Sequence, residues 1–187
     1  MVEDQLGRSE GKNFLMIVTG RQLVFMCCVQ RGIGCHANLK IPGRHELRDA
    51  PGDWPRHLCP GSLNCLIRDD GYPADFERLG KAEGIAKFDE GLFAPEFVIP
   101  QASIGNNTLE PTSILPKKGT AQVWRAVLRA VISGKEERCW MLRRIGSSIK
   151  RQVELVSSVR LRDVLALNDG DPVAVTITEG RKSIPRG

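Results

Sequence analysis

Short apolar runs recur along the chain, and each is bounded by glycine, proline or charged residues. The runs hold four to seven residues, many of them β-branched, which is short for a core helix and typical of a strand. We therefore predict strands over residues 14–19, 23–29, 63–67, 153–156 and 173–178.

The apolar run over residues 121–142 is longer, and its period does not decide between two structures. Its valine and tryptophan content favours strands, and Ser133-Gly134 would form the turn between them. We predict a β-hairpin here, with a single helix as the alternative.

The segments between the predicted strands are rich in glycine and proline, and they predict long loops over residues 41–60 and 101–119. Helix signals are brief and are confined to residues 44–48, 73–79 and 161–165. Many short strands joined by turns indicate a mainly β domain, either a barrel or a sandwich, with a few short helices and long loop insertions. Rossmann and P-loop enzymes are disfavoured, because strands and helices do not alternate and no G-x-x-x-x-G-K-[ST] motif is present.

The composition suits one folded domain, since 41% of the 187 residues are hydrophobic and 26% are charged. We expect a flexible N-terminal segment over 1–12, one domain over 13–178, and a flexible tail over 179–187. No apolar run approaches the roughly 18 residues of a membrane span, and the start lacks the basic region of a signal peptide. We therefore expect a cytoplasmic protein with no membrane partner and with reduced cysteines.

The six cysteines and three histidines do not form a recognisable metal motif. Cys35-His36 and His57-x-Cys59 offer soft ligands, but the chain contains no C-x-x-C. We interpret these residues as small buried thiols and loop histidines.

The net charge of +5 favours an anionic partner such as a nucleotide, a phosphate or a nucleic acid. Residues 117–151 contain ten basic and two acidic side chains, a net charge of +8, so the rest of the chain carries −3. We expect a local anion-attracting surface there. Aromatic residues make up only 5% of the chain, which weighs against a single-strand binder built on stacking rings.

Two glycine-containing turns could carry chemistry. Gly32-Ile33-Gly34 follows a predicted strand and could let backbone N–H groups approach a phosphate, although any tight turn uses glycine. In Pro60-Gly61-Ser62-Leu63-Asn64 the turn would place Ser62 and Asn64 on one face of the next strand. A hydroxyl and an amide oxygen side by side suit Mg²⁺ when phosphates supply other oxygens, and a plain polar strand face is the alternative.

Further polar residues follow in the last third of the chain. Ser147, Ser148 and Glu154 could bind a polyhydroxylated substrate, and Arg160 and Arg162 could bind a nucleotide. Asp169 and Asp171 resemble a catalytic pair, but they flank Gly170 and are better explained as turn residues.

Four segments, in this order, resemble the archaeal-type CTP-dependent riboflavin kinases. The first keeps the glycines of the family's S-G-x-G-E-G at Gly32 and Gly34, and Pro60-Gly-Ser-Leu-Asn64 matches its P-G-T-L-N. Arg144-Ile-Gly-Ser-Ser148 matches an R-x-T/S region ahead of Glu154. The longest match runs from Glu154 to Val173, against E-x-I-A-P-V-x-L-R-x-x-L-x-L-x-D-G-D-x-V.

The resemblance implies a compact cradle-loop-type β-barrel in which CTP phosphorylates riboflavin to FMN. It implies that Ser62 and Asn64 bind Mg²⁺. For the catalytic step no general base is evident in the sequence, and Glu154 is a candidate only if it faces the accepting hydroxyl. The resemblance assigns the flavin to Glu154 with Ser147 or Ser148, and it assigns the nucleotide to Gly32, Ile33, Gly34, Val159, Arg160, Leu161 and Arg162.

Two other functions remain open from the sequence. A non-catalytic ligand- or DNA-binding regulatory domain on the same barrel would use the basic stretch over 117–151, with nucleic acid as its partner. Against the spacing of the resembled family's motifs, residues at about 71–118 are an insert, and an enzyme acting on another alcohol or nucleotide would use this insert as a substrate lid.

Overall fold

The structure of the protein is a computed structural model, which describes residues 20–31, 39–74, 76, 83–106 and 119–180. Within these residues the strands are β1 Gln22–Gln30, β2 Leu39–Lys40, β3 Leu63–Ile67, β4 Phe97–Ile99, β5 Gly105–Asn106, β6 Ala121–Ala130, β7 Glu136–Arg144, β8 Gln152–Val156 and β9 Pro172–Thr178. The helical segments are short: one α-helical turn at Leu161–Val164, and 3₁₀ helices at Arg44–Glu46, Gly84–Glu90 and Gln101–Ser103. None of the helices in the described ranges has the length and apolar character needed to span a membrane.

Six of the strands form a closed antiparallel barrel in the order β1-β3-β8-β7-β6-β9, and β6 pairs with β9 to close it. Strand β6 is long enough to pair with two strands along the edge that faces away from β7. Its first residues, Ala121–Val123, pair with β4, and Arg125–Ala130 pair with β9. The mainly β-barrel with a few short helices that the sequence predicts is therefore confirmed.

The strand registers define the two ends of the barrel. At the upper end β1 finishes at Gln30, β3 begins at Leu63, and β8 finishes at Val156. At the lower end β7 finishes at Arg144 and β8 begins at Gln152. The upper end therefore receives the connections that follow β1 and β8, and the lower end receives the β7–β8 loop.

The inner core fills the barrel with the inward-facing residues of each strand, in the alternation seen along β9. The described part of the 71–118 insert completes this core, because the rings of Phe76, Phe88 and Phe93 are fully buried in it. Phe76 meets Phe25 edge-on at 5.6 Å, and Phe88 lies 5.1 Å from Trp124. A lid that opened here would expose these rings to water, which counts against the lid interpretation.

An outer core covers the other face of β4, β6, β7 and β8. Residues 41–58, which we call the outer segment, lie over this face and contribute Trp54, whose ring packs against Phe97 and Trp140. The indole N–H of Trp54 donates to the carbonyl of Pro42 at 3.1 Å. Strand β6 is thus buried on both faces over Ala121–Trp124, and β7 over Cys139–Arg143, which removes the alternation from these residues but not from the second half of β6. The hairpin prediction is confirmed, and the helix alternative is wrong.

The strands predicted at 23–29, 63–67, 153–156 and 173–178 agree with the structure to within one residue. The helix predicted at 161–165 and the helical turn at 44–48 are also present. The strand predicted at 14–19, the segment 1–12 and most of the helix at 73–79 lie outside the described residues. Glu179 and Gly180, which were expected to begin a flexible tail, donate backbone hydrogen bonds of 2.8 Å to Arg21 and Ala94.

Candidate active site

The turn before β3 delivers Ser62 and Asn64 to the outer face of the barrel. Gly61 has φ +82°, a left-handed conformation that glycine adopts without strain, and β3 begins two residues later. Leu63 and Cys65 point into the inner core, so the residues between and before them face outward. The prediction that Ser62 and Asn64 share a face is confirmed by their neighbours on β8.

Glu154 is the neighbour of both residues. It pairs with Asn64 in the antiparallel register of β3 and β8, and its carboxylate accepts a 2.7 Å hydrogen bond from the Ser62 hydroxyl. The candidate catalytic carboxylate and the two candidate metal ligands are therefore in one cluster, although 92 residues separate Ser62 from Glu154 in the sequence.

Gln152 completes this cluster and was missed from the sequence. Its side-chain amide donates to the Oδ1 atom of Asn64 at 2.9 Å, which orients the Asn64 oxygen. The signal that could have found it is strand periodicity, because Gln152 precedes Glu154 by two residues and so shares its outward face.

The donor set of this cluster fits Mg²⁺. The Ser62 hydroxyl donates its hydrogen bond to Glu154, which leaves the lone pairs of the hydroxyl oxygen for a metal, and the carboxylate supplies negative charge beside it. Asn64 is 9% exposed and its oxygen keeps a second lone pair. Gln152 and Glu154 form hydrogen bonds with the two candidate ligands and would orient them as the outer partners of a metal site do. Elsewhere within the described ranges, no three His, Cys, Asp or Glu side chains are grouped to hold a metal ion.

The segment after β8 lies beside this cluster at the upper end. The amide of Cys59 donates to the carbonyl of Ser157 at 2.8 Å, which joins the segment to the Pro60-Gly61 turn. Val159 and Arg160 are exposed, whereas the side chain of Leu161 is buried in the inner core. Of the nucleotide residues that the resemblance assigns here, Leu161 can therefore offer only its backbone.

Arg162 connects this segment to the end of β1. Its guanidinium donates to the carbonyl of Gln30 at 2.7 Å and forms a 2.7 Å ion pair with Asp169. The Gly32-Ile33-Gly34 loop, two residues further along from Gln30, lies outside the described residues. The described contacts place the Arg162 segment beside the strand end that leads into it.

A small polar depression extends from Glu154 to the β7–β8 loop. Ser147, Gln152, Glu154 and Arg144 line it, with Ile85 as an apolar wall. Ser148 is exposed on the same loop. The cavity volume is about 20 Å³, room for about one water molecule, so a flavin would have to lie across the mouth of the depression. Of the two serines assigned to the flavin, the structure brings Ser147 into one depression with Glu154.

Arg144 places a cation at the rim of this depression. Its Nε atom donates to the carbonyl of Gly119 at 2.7 Å. Partial burial lowers the pKa of Arg144, and the nearby carboxylate of Glu154 opposes that shift. The guanidinium stays charged, and it lies where an anionic substrate group would be attracted.

Many of the basic side chains over residues 117–151 form ion pairs with acidic side chains in the folded structure. Arg125 forms ion pairs with Asp53 and Glu96, and Arg143 is 3% exposed and paired with Asp89. Further ion pairs join Lys150 to Glu83, Arg151 to Asp69 and Arg129 to Glu136. These pairs neutralise part of the positive charge on which the expected anion-attracting surface depends, while Lys117 and Lys118 lie outside the described residues. The pairing also weakens the case for a nucleic-acid interface.

Three cysteines are buried and chemically quiet. Burial raises the pKa of Cys65 to about 12, and it raises those of Cys27 and Cys139 as well. Such thiols are not nucleophiles at neutral pH. Asp171 accepts a 2.7 Å hydrogen bond from the amide of Asn168 beside Gly170, so its interpretation as a turn residue is confirmed.

The chain was also compared with known proteins. It matches none of the protein-family models and none of the curated proteins that were searched.

Proposed function

We propose that the protein is an Mg²⁺-dependent phosphotransferase that moves the γ-phosphoryl group of CTP, or of another nucleoside triphosphate, to riboflavin and so forms FMN. The observation that carries this proposal is the cluster of Ser62, Asn64 and Glu154, which unites metal ligands and a carboxylate on one face. The Val159–Arg162 segment beside it supports a nucleotide site at the same end of the barrel.

The chemistry follows from these positions. Mg²⁺, when bound at Ser62 and Asn64, would neutralise charge on the triphosphate oxygens. Glu154 accepts the proton of the primary hydroxyl on the ribityl chain as that oxygen bonds to the γ-phosphorus. The bond from the γ-phosphorus to its bridging oxygen breaks, and CDP leaves with that electron pair. Arg144, at the rim beside Glu154, opposes the negative charge that accumulates on the transferred group.

The acceptor would be held by polar contacts. Ser147 and Gln152 line the depression next to Glu154, and both offer hydrogen-bonding groups to a ribityl chain. The depression is too small to enclose the flavin ring, so this part of the acceptor would contribute less to affinity than the ribityl hydroxyls.

The direct test is product formation. Purified protein is incubated with Mg²⁺, riboflavin and each of the four nucleoside triphosphates in turn, and FMN is separated by chromatography. We expect FMN with CTP or with another triphosphate, and none when Mg²⁺ is chelated. Absence of turnover with all four, together with no quenching of riboflavin fluorescence by the protein, would refute the proposal.

The regulatory-domain alternative is tested in parallel by a gel shift with duplex DNA at two salt concentrations. Salt-dependent binding of the duplex without any riboflavin phosphorylation would favour that alternative.

A further inference from the structure

An ion pair between buried Arg143 and partly buried Asp89 ties the insert to the β7–β8 loop. Arg143 lies inside the lower end of the barrel, where its guanidinium forms two parallel hydrogen bonds, of 2.8 and 2.9 Å, with the carboxylate of Asp89. Asp89 belongs to the 3₁₀ helix Gly84–Glu90. Such a bidentate pair fixes direction as well as distance.

The same two side chains hold the backbone of the loop. Arg143 donates to the carbonyls of Ile149, at 2.9 Å, and Ser147, at 3.3 Å. Asp89 accepts from the amide of Gly146 at 3.2 Å. The loop that carries Ser147 is thus held from within the barrel by a residue of the insert.

The rest of the 3₁₀ helix packs closely on the same loop. The amide of Ile85 donates to the carbonyl of Lys150 at 2.9 Å, and a Cβ atom on Gly84 would lie 2.1 Å from that carbonyl oxygen. Ile85 then forms a wall of the depression that Ser147 and Glu154 line. The insert therefore shapes one side of the depression and also supports it.

We infer that Asp89 and Arg143 are positioning residues for the acceptor: they hold Ser147 against the depression and so set the affinity for the polyhydroxylated alcohol. This inference rests on the proposed function. It adds that the insert affects acceptor binding and does not affect binding of the nucleotide or the metal. The nucleotide and metal half, at Ser62 and Val159–Arg162, is built from other elements and is independent of the ion pair.

The matched experiment compares two aspartates. Asp89→Asn weakens the pair that holds the loop, and Asp53→Asn weakens an equally bidentate pair with Arg125 on the outer face. We expect Asp89→Asn to raise the KM for riboflavin about tenfold and to change the KM for the triphosphate less than about twofold. Asp53→Asn should leave both values unchanged.

A second pair of variants covers the case in which Asp89→Asn does not fold. Gly146 and Gly134 both have positive φ, +78° and +69°, and a Cβ atom on either meets nothing within 4 Å. Gly146→Ala strains the loop that carries Ser147, whereas Gly134→Ala strains the β6–β7 turn at the opposite end. Only Gly146→Ala should weaken riboflavin binding, measured by fluorescence quenching, and speed amide exchange in residues 145–151.

The outcomes separate the two proposals. A wild-type protein that neither binds nor phosphorylates riboflavin overturns both of them. An active wild type whose Asp89→Asn and Gly146→Ala variants keep the riboflavin KM, or raise both KM values equally, overturns this inference and leaves the proposed function standing.

Discussion

Removal of the Ser62 hydroxyl tests the metal half of the site. In Ser62→Ala the carboxylate of Glu154 loses its 2.7 Å donor. A hydrogen bond to a charged group contributes roughly 1.5–3 kcal/mol, but Ser62 is only half-buried and water can replace the donor, so we expect a stability loss of about 1 kcal/mol. The variant should therefore fold.

The effect on metal use should be larger than the effect on folding. Loss of an outer partner of a metal ligand typically costs 10–100-fold, and Ser62 is a proposed ligand itself, so the Mg²⁺ concentration for half-maximal rate should rise about 100-fold. This ratio corresponds to about 2.7 kcal/mol. Initial rates of FMN formation are measured against Mg²⁺ at fixed triphosphate and riboflavin.

The control is Ser103→Ala, which removes an exposed hydroxyl at the end of the 3₁₀ helix Gln101–Ser103, away from the proposed site. It should leave the Mg²⁺ dependence unchanged. If Ser62→Ala is folded by circular dichroism and shows the wild-type Mg²⁺ dependence, Ser62 does not bind the metal and the site assignment fails.

Three further predictions concern stability. Gly84→Ala should cost about 3 kcal/mol in urea unfolding, because φ is +53° and the new Cβ would meet the Lys150 carbonyl, whereas Gly91→Ala, with φ +78° and open space, should cost about 1 kcal/mol; equal losses would contradict this. Trp54→Ala should cost about 3–5 kcal/mol, and a loss below 1 kcal/mol would show that the outer core contributes little. The three buried thiols keep their protons in the folded state, as the raised pKa of Cys65, about 12 against an ordinary 9.0, shows. The contribution of these thiols to the free energy of unfolding should therefore be constant below pH 9 and fall above it by up to ~1.4 kcal/mol per pH unit for each thiol, and Cys65→Val should reduce that slope.

Much of the barrel is predictable from local sequence. Strand β9 alternates strictly because one face meets the core and the other meets water, and β1 follows the same rule at most positions. The hairpin is different: where its strands are buried on both faces they show no period, and only the valine and tryptophan content and the Ser133-Gly134 turn favour a hairpin over a helix.

The burial of the insert's aromatic rings in the inner core could not be predicted from the local sequence pattern. Phe76, Phe88 and Phe93 are spaced irregularly among glycines, and they become core residues only because the open end of a barrel needs filling. The same limit applies to charge. Arg143 was counted as a surface cation from the sequence, but its side chain is buried at one end of the barrel and pairs with partly buried Asp89, 54 residues away.

The candidate site was predicted from the sequence only in part. Ser62, Asn64 and Glu154 were predicted individually, and the register of β3 and β8 supplies the contact between them. Strand periodicity alone would have added Gln152, whereas nothing local indicates that the insert supports Ser147.

The outer core has a consequence for partial unfolding. The outer segment is joined to the barrel mainly by side-chain packing, so it can detach while the six paired strands keep their hydrogen bonds. A molecule in that state has a closed sheet, yet it presents Phe97, Trp140 and Leu142 to solvent. Two such molecules would associate face to face through these rings and not by strand addition along the closed part of the sheet, and the resulting aggregates would keep the barrel's native β-sheet.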